Sequence, residues 1–225
     1  MANDQEKEAV GRASLRFVRD GNILGLGTGS TAAYAVRGLG EMVRNGLNVR
    51  CIPTSVNTQK LAAELGIPLT TLDEVQQIDV TIDGADEFDP HLNLTKGGGG
   101  ALLREKIIAS ASKMVVIITD SSKQVATLGK FPLPVEVIPF AQALISKKIS
   151  ALGATVTLRQ RDGKTFVTDE GHHILDCHFG QIPDPPALAR KLSDTPGIVE
   201  HGLFIGMASV VLLAKDGQVQ EIRKA

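Results

Sequence analysis

Apolar positions along the chain follow two different periods. Residues 4–19 place Ala9, Val10, Ala13, Phe17 and Val18 on one side of a helix. A short apolar strand over 22–26 runs into glycines, and the helical period returns over 30–43. Further strands are expected over 49–53 and 78–82, helices over 56–65 and 101–112, and a continuous apolar strand over 114–119. Strands alternating with helices predict an α/β fold: a Rossmann-like parallel sheet with helices on both faces.

Near Phe131 the rhythm changes. FPLPVEVIP carries three prolines, which predict a connection or an edge strand because proline cannot donate into a ladder. A helix over 140–152, a strand over 155–160, a strand pair around 166–168 and 173–178, a helix over 186–193 and a strand around 198–204 follow. That order, β-α-β-β-α-β, is ferredoxin-like. Segments 209–214 and 218–222 flank Asp216-Gly217 and read as a hairpin able to return to the first sheet. The expected organisation is a Rossmann-like domain from 1–130 and 207–225, with a smaller ferredoxin-like α+β domain inserted over 131–206.

Composition narrows the function classes. A net charge of −1 over 225 residues creates no global field for nucleic acid or an anionic membrane. An anionic ligand therefore needs a local positive site. Trp is absent and Tyr34 is the only tyrosine, so base-stacking surfaces are poorly provided. Cys51 and Cys177 form neither a disulfide framework nor a C-x-x-C pair, which fits a reducing compartment. The N-terminal segment lacks the apolar core of a signal peptide, and no apolar run approaches the ~20 residues that span a bilayer. His172, His173, Asp176, Cys177 and His178 resemble a metal cluster at first sight. Strand alternation sends His172 and His178 to one face and His173 to the other, so no metal is assigned.

Three motifs carry candidate chemistry. Gly25-Leu-Gly-Thr-Gly-Ser-Thr31 follows a strand and opens a helix, where N–H groups and the helix dipole favour a phosphate. It is no Walker A loop, and it departs from the dinucleotide fingerprint at Ser30. The plainer alternative is a glycine-rich turn with Ser30 or Thr31 as N-cap. Asp83-Gly-Ala-Asp-Glu87 closes a strand, where carboxylates can bond sugar hydroxyls, or simply cap a turn. Lys96-Gly-Gly-Gly-Gly100 precedes a helix bearing Glu105. Four glycines are costly to order and let Lys96 and bare backbone approach a ligand. Taken alone, Glu105 reads as a solvated helix residue between Arg104 and Lys106.

GLGTGST, DGADE and KGGGGALLREK, in this order and spacing, resemble the ribose-5-phosphate isomerase A family. Ser122-Lys123-Gln124, LGKFPLPVEVIP and Pro196-Gly197-Ile198-Val199 extend the similarity over nearly the whole chain. The resemblance implies an isomerase of ribose 5-phosphate and ribulose 5-phosphate, in the non-oxidative branch of the pentose phosphate pathway. It also implies a cytoplasmic homodimer that needs no cofactor. Thr28, Gly29, Ser30 and Thr31 would then bind the phosphate end, with Lys7 near it. Asp83, Gly84, Ala85 and Asp86 would contact the sugar, with both aspartates near the reacting carbons. Lys96, Gly97, Gly98 and Gly99 would bind substrate, Lys96 steadying the oxyanion, and Lys123 would add a contact. Glu105 would be the proton acceptor. Gly100, where relatives often have alanine, is a departure expected to have no functional consequence.

The residue types suit this chemistry. Aldose–ketose isomerisation removes a proton beside a carbonyl and returns it to the neighbouring carbon, which one carboxylate can do. The enediolate needs fixed donors or a cation. A glutamate at its ordinary ~4.3 is a weak base, so partial desolvation is expected around it. Two rival readings remain at this point. A non-catalytic sugar-phosphate sensor would keep the phosphate loop and lose the base. A CoA transferase or amino-sugar-phosphate deaminase would use a related sheet.

Overall fold

The computed structural model of the chain describes residues 2–224. In chain order its elements are α1 (Ala2–Ser14), β1 (Ile23–Leu26), α2 (Ser30–Arg44), β2 (Arg50–Pro53), α3 (Val56–Glu64) and β3 (Ile78–Gly84). Then come β4 (Glu87–Phe88), β5 (Leu94–Thr95), α4 (Leu102–Ser110), β6 (Ser112–Asp120), β7 (Leu133–Val137), α5 (Gln142–Ser150), β8 (Thr155–Leu158), β9 (Gln160–Arg161) and β10 (Lys164–Thr165). β11 (His173–His178), α6 (Pro185–Ser193), β12 (Ile198–His201), β13 (Leu203–Phe204), β14 (Val210–Lys215) and β15 (Gln218–Arg223) complete the chain. These fall into two compact units: Met1–Ala85 with Arg104–Lys123 and Met207–Ala225, and Asp86–Leu103 with Gln124–Gly206.

The first unit holds a six-stranded sheet of order β15-β14-β6-β3-β1-β2. All neighbours pair parallel except the closing β14–β15 hairpin. β6 and β14 are nearly continuous apolar runs because both of their faces are covered. One apolar cluster joins Val10 of α1 and Val36 and Leu39 of α2 to Leu24, Val116 and Leu212. Another packs Ile108 of α4 with Ile52, Val75 and Ile78. Each such fully buried side chain contributes roughly 1.5–3 kcal/mol relative to exposure. The chain runs from β1 outward to β2, then crosses back to place β3 on the other side of β1. The strand order therefore reverses between β1 and β3, the point at which open α/β sheets bind ligands beyond their carboxyl ends.

The second unit contains an antiparallel sheet of order β12-β7-β11-β8 with α5 and α6, the ferredoxin-like arrangement. Its core gathers Leu133, Val135, Ile145, Leu175, Cys177 and Leu192. FPLPVEVIP is not a connection or an edge. It forms β7, an inner strand whose five residues are all buried. Pro134 forfeits only its donor there, since its carbonyl still accepts from the Gly202 N–H at 2.8 Å. Of the strand pair expected around 166–168 and 173–178, the second is β11, while 166–168 makes only a single bridge, Val167 to His173; a short β9–β10 hairpin precedes it. A third sheet, β13-β5-β4, has strands of two residues each. Through it, residues 86–103 group with the ferredoxin-like sheet, as do residues 124–130, rather than with the domain over 1–130 that the sequence suggests.

Candidate active site

In the first unit, GLGTGST forms the loop from β1 into α2. A methyl group on Gly25 would meet Thr81 Oγ1 at 2.0 Å, and one on Gly27 would meet Asp83 Oδ1 at 2.2 Å. These two glycines let β1 lie close against β3. Gly29 differs: its φ is +108° and the space beside it is open. It is the N-cap of α2, and neither Ser30 nor Thr31 fills that position as the plainer turn reading expected. No side chain caps the helix, so its first N–H groups remain at the positive end of the dipole. Gly29 and Ser30 are exposed and Thr31 is half-buried.

Thr28 faces another way. Its hydroxyl lies 2.7 Å from Thr54 Oγ1 and donates to Ser55 Oγ at 2.8 Å. Ser55 passes the chain to Thr58, which donates to the Gly27 carbonyl at 2.9 Å. This hydroxyl relay braces the loop from below. The Thr28 N–H donates to Asp83 Oδ1 at 3.1 Å, and the same oxygen accepts from the Gly84 N–H at 2.7 Å. Asp83, 2% exposed, is thus tied to the backbone of the β1–α2 loop at the carboxyl end of β3, and Gly84 and Ala85 beside it are half-buried.

Glu105 lies in the first turn of α4 and is 4% exposed. The reading of a solvated helix residue therefore fails. A carboxylate so placed is kept only where surrounding groups satisfy it. Lys7 on α1 and Lys123 in the turn after β6 are both half-buried.

In the second unit, Asp86 follows DGA and takes the Gly98 N–H on its Oδ2 at 2.7 Å. Its own N–H donates to Thr95 O at 2.8 Å. Lys96, 3% exposed, places its ammonium 5.4 Å from the centre of the Phe204 ring and donates its N–H to Gly202 O at 2.8 Å. Gly97 has φ +102°, Gly98 is half-buried and Gly99 is exposed. Gly100 has φ +88°, and a methyl group there would meet the Phe166 ring at 2.4 Å. The departure at Gly100 is therefore matched by a bulky ring in the space an alanine would need. Glu87, the last carboxylate of DGADE, accepts from the Gly129 and Phe131 N–H groups and serves the fold.

Other groupings were not legible in the sequence. Thr54, Ser55 and Thr58 lie 26–30 residues from Thr28 and carry no motif of their own. Arg159 forks onto Asp176 and also reaches the carbonyls of Gly97 and Gly98. Of the histidine run, His172 Nδ1 lies 2.9 Å from Glu136 Oε1 and His173 Nδ1 lies 2.7 Å from Gln142 Oε1. Burial pushes the Glu136 carboxyl above its usual range, against the hydrogen bonds from His172 and Thr168. Burial also pushes the Cys51 and Cys177 thiols up to about 12, so both behave as small apolar residues.

The family model described as ribose 5-phosphate isomerase A (phosphoriboisomerase A) matches residues 50–218. A ribose-5-phosphate isomerase A from Afipia carboxidovorans is 58% identical over 221 residues, covering 95% of this chain and 94% of its own. One from Rhodopseudomonas palustris is 55% identical over 229 residues, covering 99% and 98%. Among solved structures, a D-ribose-5-phosphate isomerase in complex with phospho-erythronic acid superposes with a TM-score of 0.96 at 38% identity, over 99% of this chain and 100% of that one. The ribose 5-phosphate isomerase A from Methanocaldococcus jannaschii gives 0.93 at 40% identity, over 97% and 98%. With the motifs, the fold and these relatives in agreement, the chain belongs to the ribose 5-phosphate isomerase A family.

Proposed function

We propose that the chain interconverts D-ribose 5-phosphate and D-ribulose 5-phosphate through an enediolate, with Glu105 as the proton-carrying base. The observation that carries this reading is a glutamate, 4% exposed, in the first turn of the helix that follows a tract of four glycines, in a chain of this family. Glu105 takes the proton from C2 of the open-chain aldose and returns it to C1, while the hydroxyl proton passes from O2 to O1. The carbonyl moves with it, and the reaction is redox-neutral within the substrate. No hydride acceptor is required.

The uncapped start of α2 receives the phosphate, with Gly29, Ser30 and Thr31 supplying N–H and hydroxyl donors and Lys7 adding charge. In this reading Thr28 shapes the loop, its hydroxyl being engaged with Thr54 and Ser55 and its N–H with Asp83. Asp83 and Asp86 hold sugar hydroxyls and assist ring opening. Lys96 and the N–H groups of the glycine tract stabilise the enediolate charge, and Lys123 adds a substrate contact. Phospho-erythronic acid, held by the similar isomerase, is a phosphorylated acid whose planar carboxylate resembles that intermediate in shape and charge. The reading places the chain in the non-oxidative branch of the pentose phosphate pathway, as a cytoplasmic homodimer. Among the described residues no helix is long and apolar enough to cross a membrane.

The test is incubation with ribose 5-phosphate in D₂O. Ribulose 5-phosphate should accumulate and deuterium should appear at C2 of recovered aldose. Absence of ketose under saturating substrate contradicts the reading.

A further inference from the structure

Arg159 sits between β8 and β9, outside every motif that suggests the site. Its Nε and Nη2 meet the two oxygens of Asp176 on β11, at 3.0 and 2.5 Å. The pair is mostly buried, with side chains 12% and 18% exposed. Its Nη1 donates to Gly97 O at 2.8 Å and lies 3.2 Å from Gly98 O. The Phe166 ring lies against Arg161, 4.4 Å from guanidinium carbon to ring centre, and against Arg159 at 5.9 Å. That same ring fills the space beside Gly100.

These contacts fix how the glycine peptides face. In a trans peptide the carbonyl and the following N–H point in opposite directions. Gly97 O goes to Arg159, and the Gly98 N–H goes the other way, to Asp86. Gly98 O also turns to Arg159, which turns the Gly99 N–H to the side of Asp86. Gly97 O also accepts the Gly100 N–H at 3.0 Å, which closes a turn; the central Gly98–Gly99 peptide, with no Cβ to bias it, could flip without Arg159. A single ammonium cannot replace this arrangement, because it lacks the planar fork that grips a carboxylate while a further N–H reaches elsewhere.

We propose that Arg159, oriented by Asp176, is a positioning residue for the isomerisation: it holds the Gly97–Gly98 carbonyls so that the Gly99 N–H faces the developing oxyanion while the Gly98 N–H stays on Asp86. The inference rests on the proposed function, in which the tract faces substrate. It assigns Arg159 no contact with substrate.

The experiment compares wild type, Arg159→Lys and Asp176→Asn in kcat, in KM for ribose 5-phosphate, and in inhibition by phospho-erythronic acid and by inorganic phosphate. In Arg159→Lys, kcat should fall about 10²-fold, the usual cost of a misplacement near 1 Å. Affinity for phospho-erythronic acid should fall by a similar factor, with KM and phosphate inhibition within about threefold. Asp176→Asn should show the same split more weakly. If Arg159→Lys melts below assay temperature, Asp176→Asn alone decides by that same pattern. Unchanged kcat in the folded variants overturns the inference. So does a parallel loss of phosphate inhibition, which would mark a general loss of structure. A wild type with no isomerase activity would sink the proposed function instead, which keeps the two failures apart.

Discussion

In the loop after β1, glycine is demanded by a neighbouring strand: Gly25 and Gly27 leave room for Thr81 and Asp83, and only Gly29 borders open space. In the tract after β5, glycine is demanded by side chains: Asp86 presses on Gly98 and Phe166 on Gly100. The first loop ends in a helix whose N–H groups are aligned by regular structure. The second has only a single turn, closed by the Gly100 N–H on Gly97 O, and its peptides are further aligned by Asp86 on one side and Arg159 on the other. Two segments that look equally permissive are therefore rigid for different reasons. One is held by a sheet and the other by a few charged side chains, so they should respond differently to the same small substitution.

Gly27→Ala should be the more damaging methyl group. It meets backbone as well as side chain of β3, including Asp83 Cα at 2.5 Å, and neither can move away cheaply. A loss of about 1–3 kcal/mol is expected on denaturant titration, together with loss of turnover. Gly100→Ala meets one ring and a φ of +88°. It should cost turnover about tenfold, and adding Phe166→Ala should restore part of that loss in a double-mutant cycle. Additive effects would show that the ring and the glycine are not coupled.

The two units also differ in how they treat a carboxylate. Asp79, in the parallel sheet, is held below its ordinary 3.8 by hydrogen bonds from Lys113 and the Ile23 N–H. Its folded pKa is lowered, so its contribution is present above about pH 4 and is lost as pH falls through the folded value. Glu136, in the ferredoxin-like unit, is raised above its ordinary 4.5 by burial. The folded state then binds the proton more tightly, and stability is lost as pH rises from about 4.5 through the folded value. Asp79→Asn should flatten the acid limb of the stability profile, and Glu136→Gln should flatten the decline on the other side. Thermal melts between pH 3 and 7 measure both, and identical profiles for the two variants would contradict the assignment. The smallest effect concerns the thiols. Native protein should leave both Cys51 and Cys177 unreactive toward a disulfide reagent, and unfolding should release two.

Much of this was legible in the sequence, and the remainder has a physical explanation. Apolar runs such as Val115–Ile118 mark a strand buried on both faces, and the motif order carried the family. Pro134 misled because proline's missing donor matters only on one side of a strand. β4, β5 and β13 are too short to show any period. Burial of Glu105 could not be read between Arg104 and Lys106, where local composition suggests solvent. Arg159 and the Thr54–Ser55–Thr58 relay act across tens of residues, and nothing in their immediate neighbours distinguishes them.

The most direct measurement is the turnover of Glu105→Gln beside its affinity for phospho-erythronic acid. The amide keeps the shape and removes the proton acceptor, so kcat should fall by at least the ~10²–10⁴ typical of a general base. Inhibitor affinity should change little. Turnover near that of the unaltered chain, with the fold intact, would show that another group moves the proton.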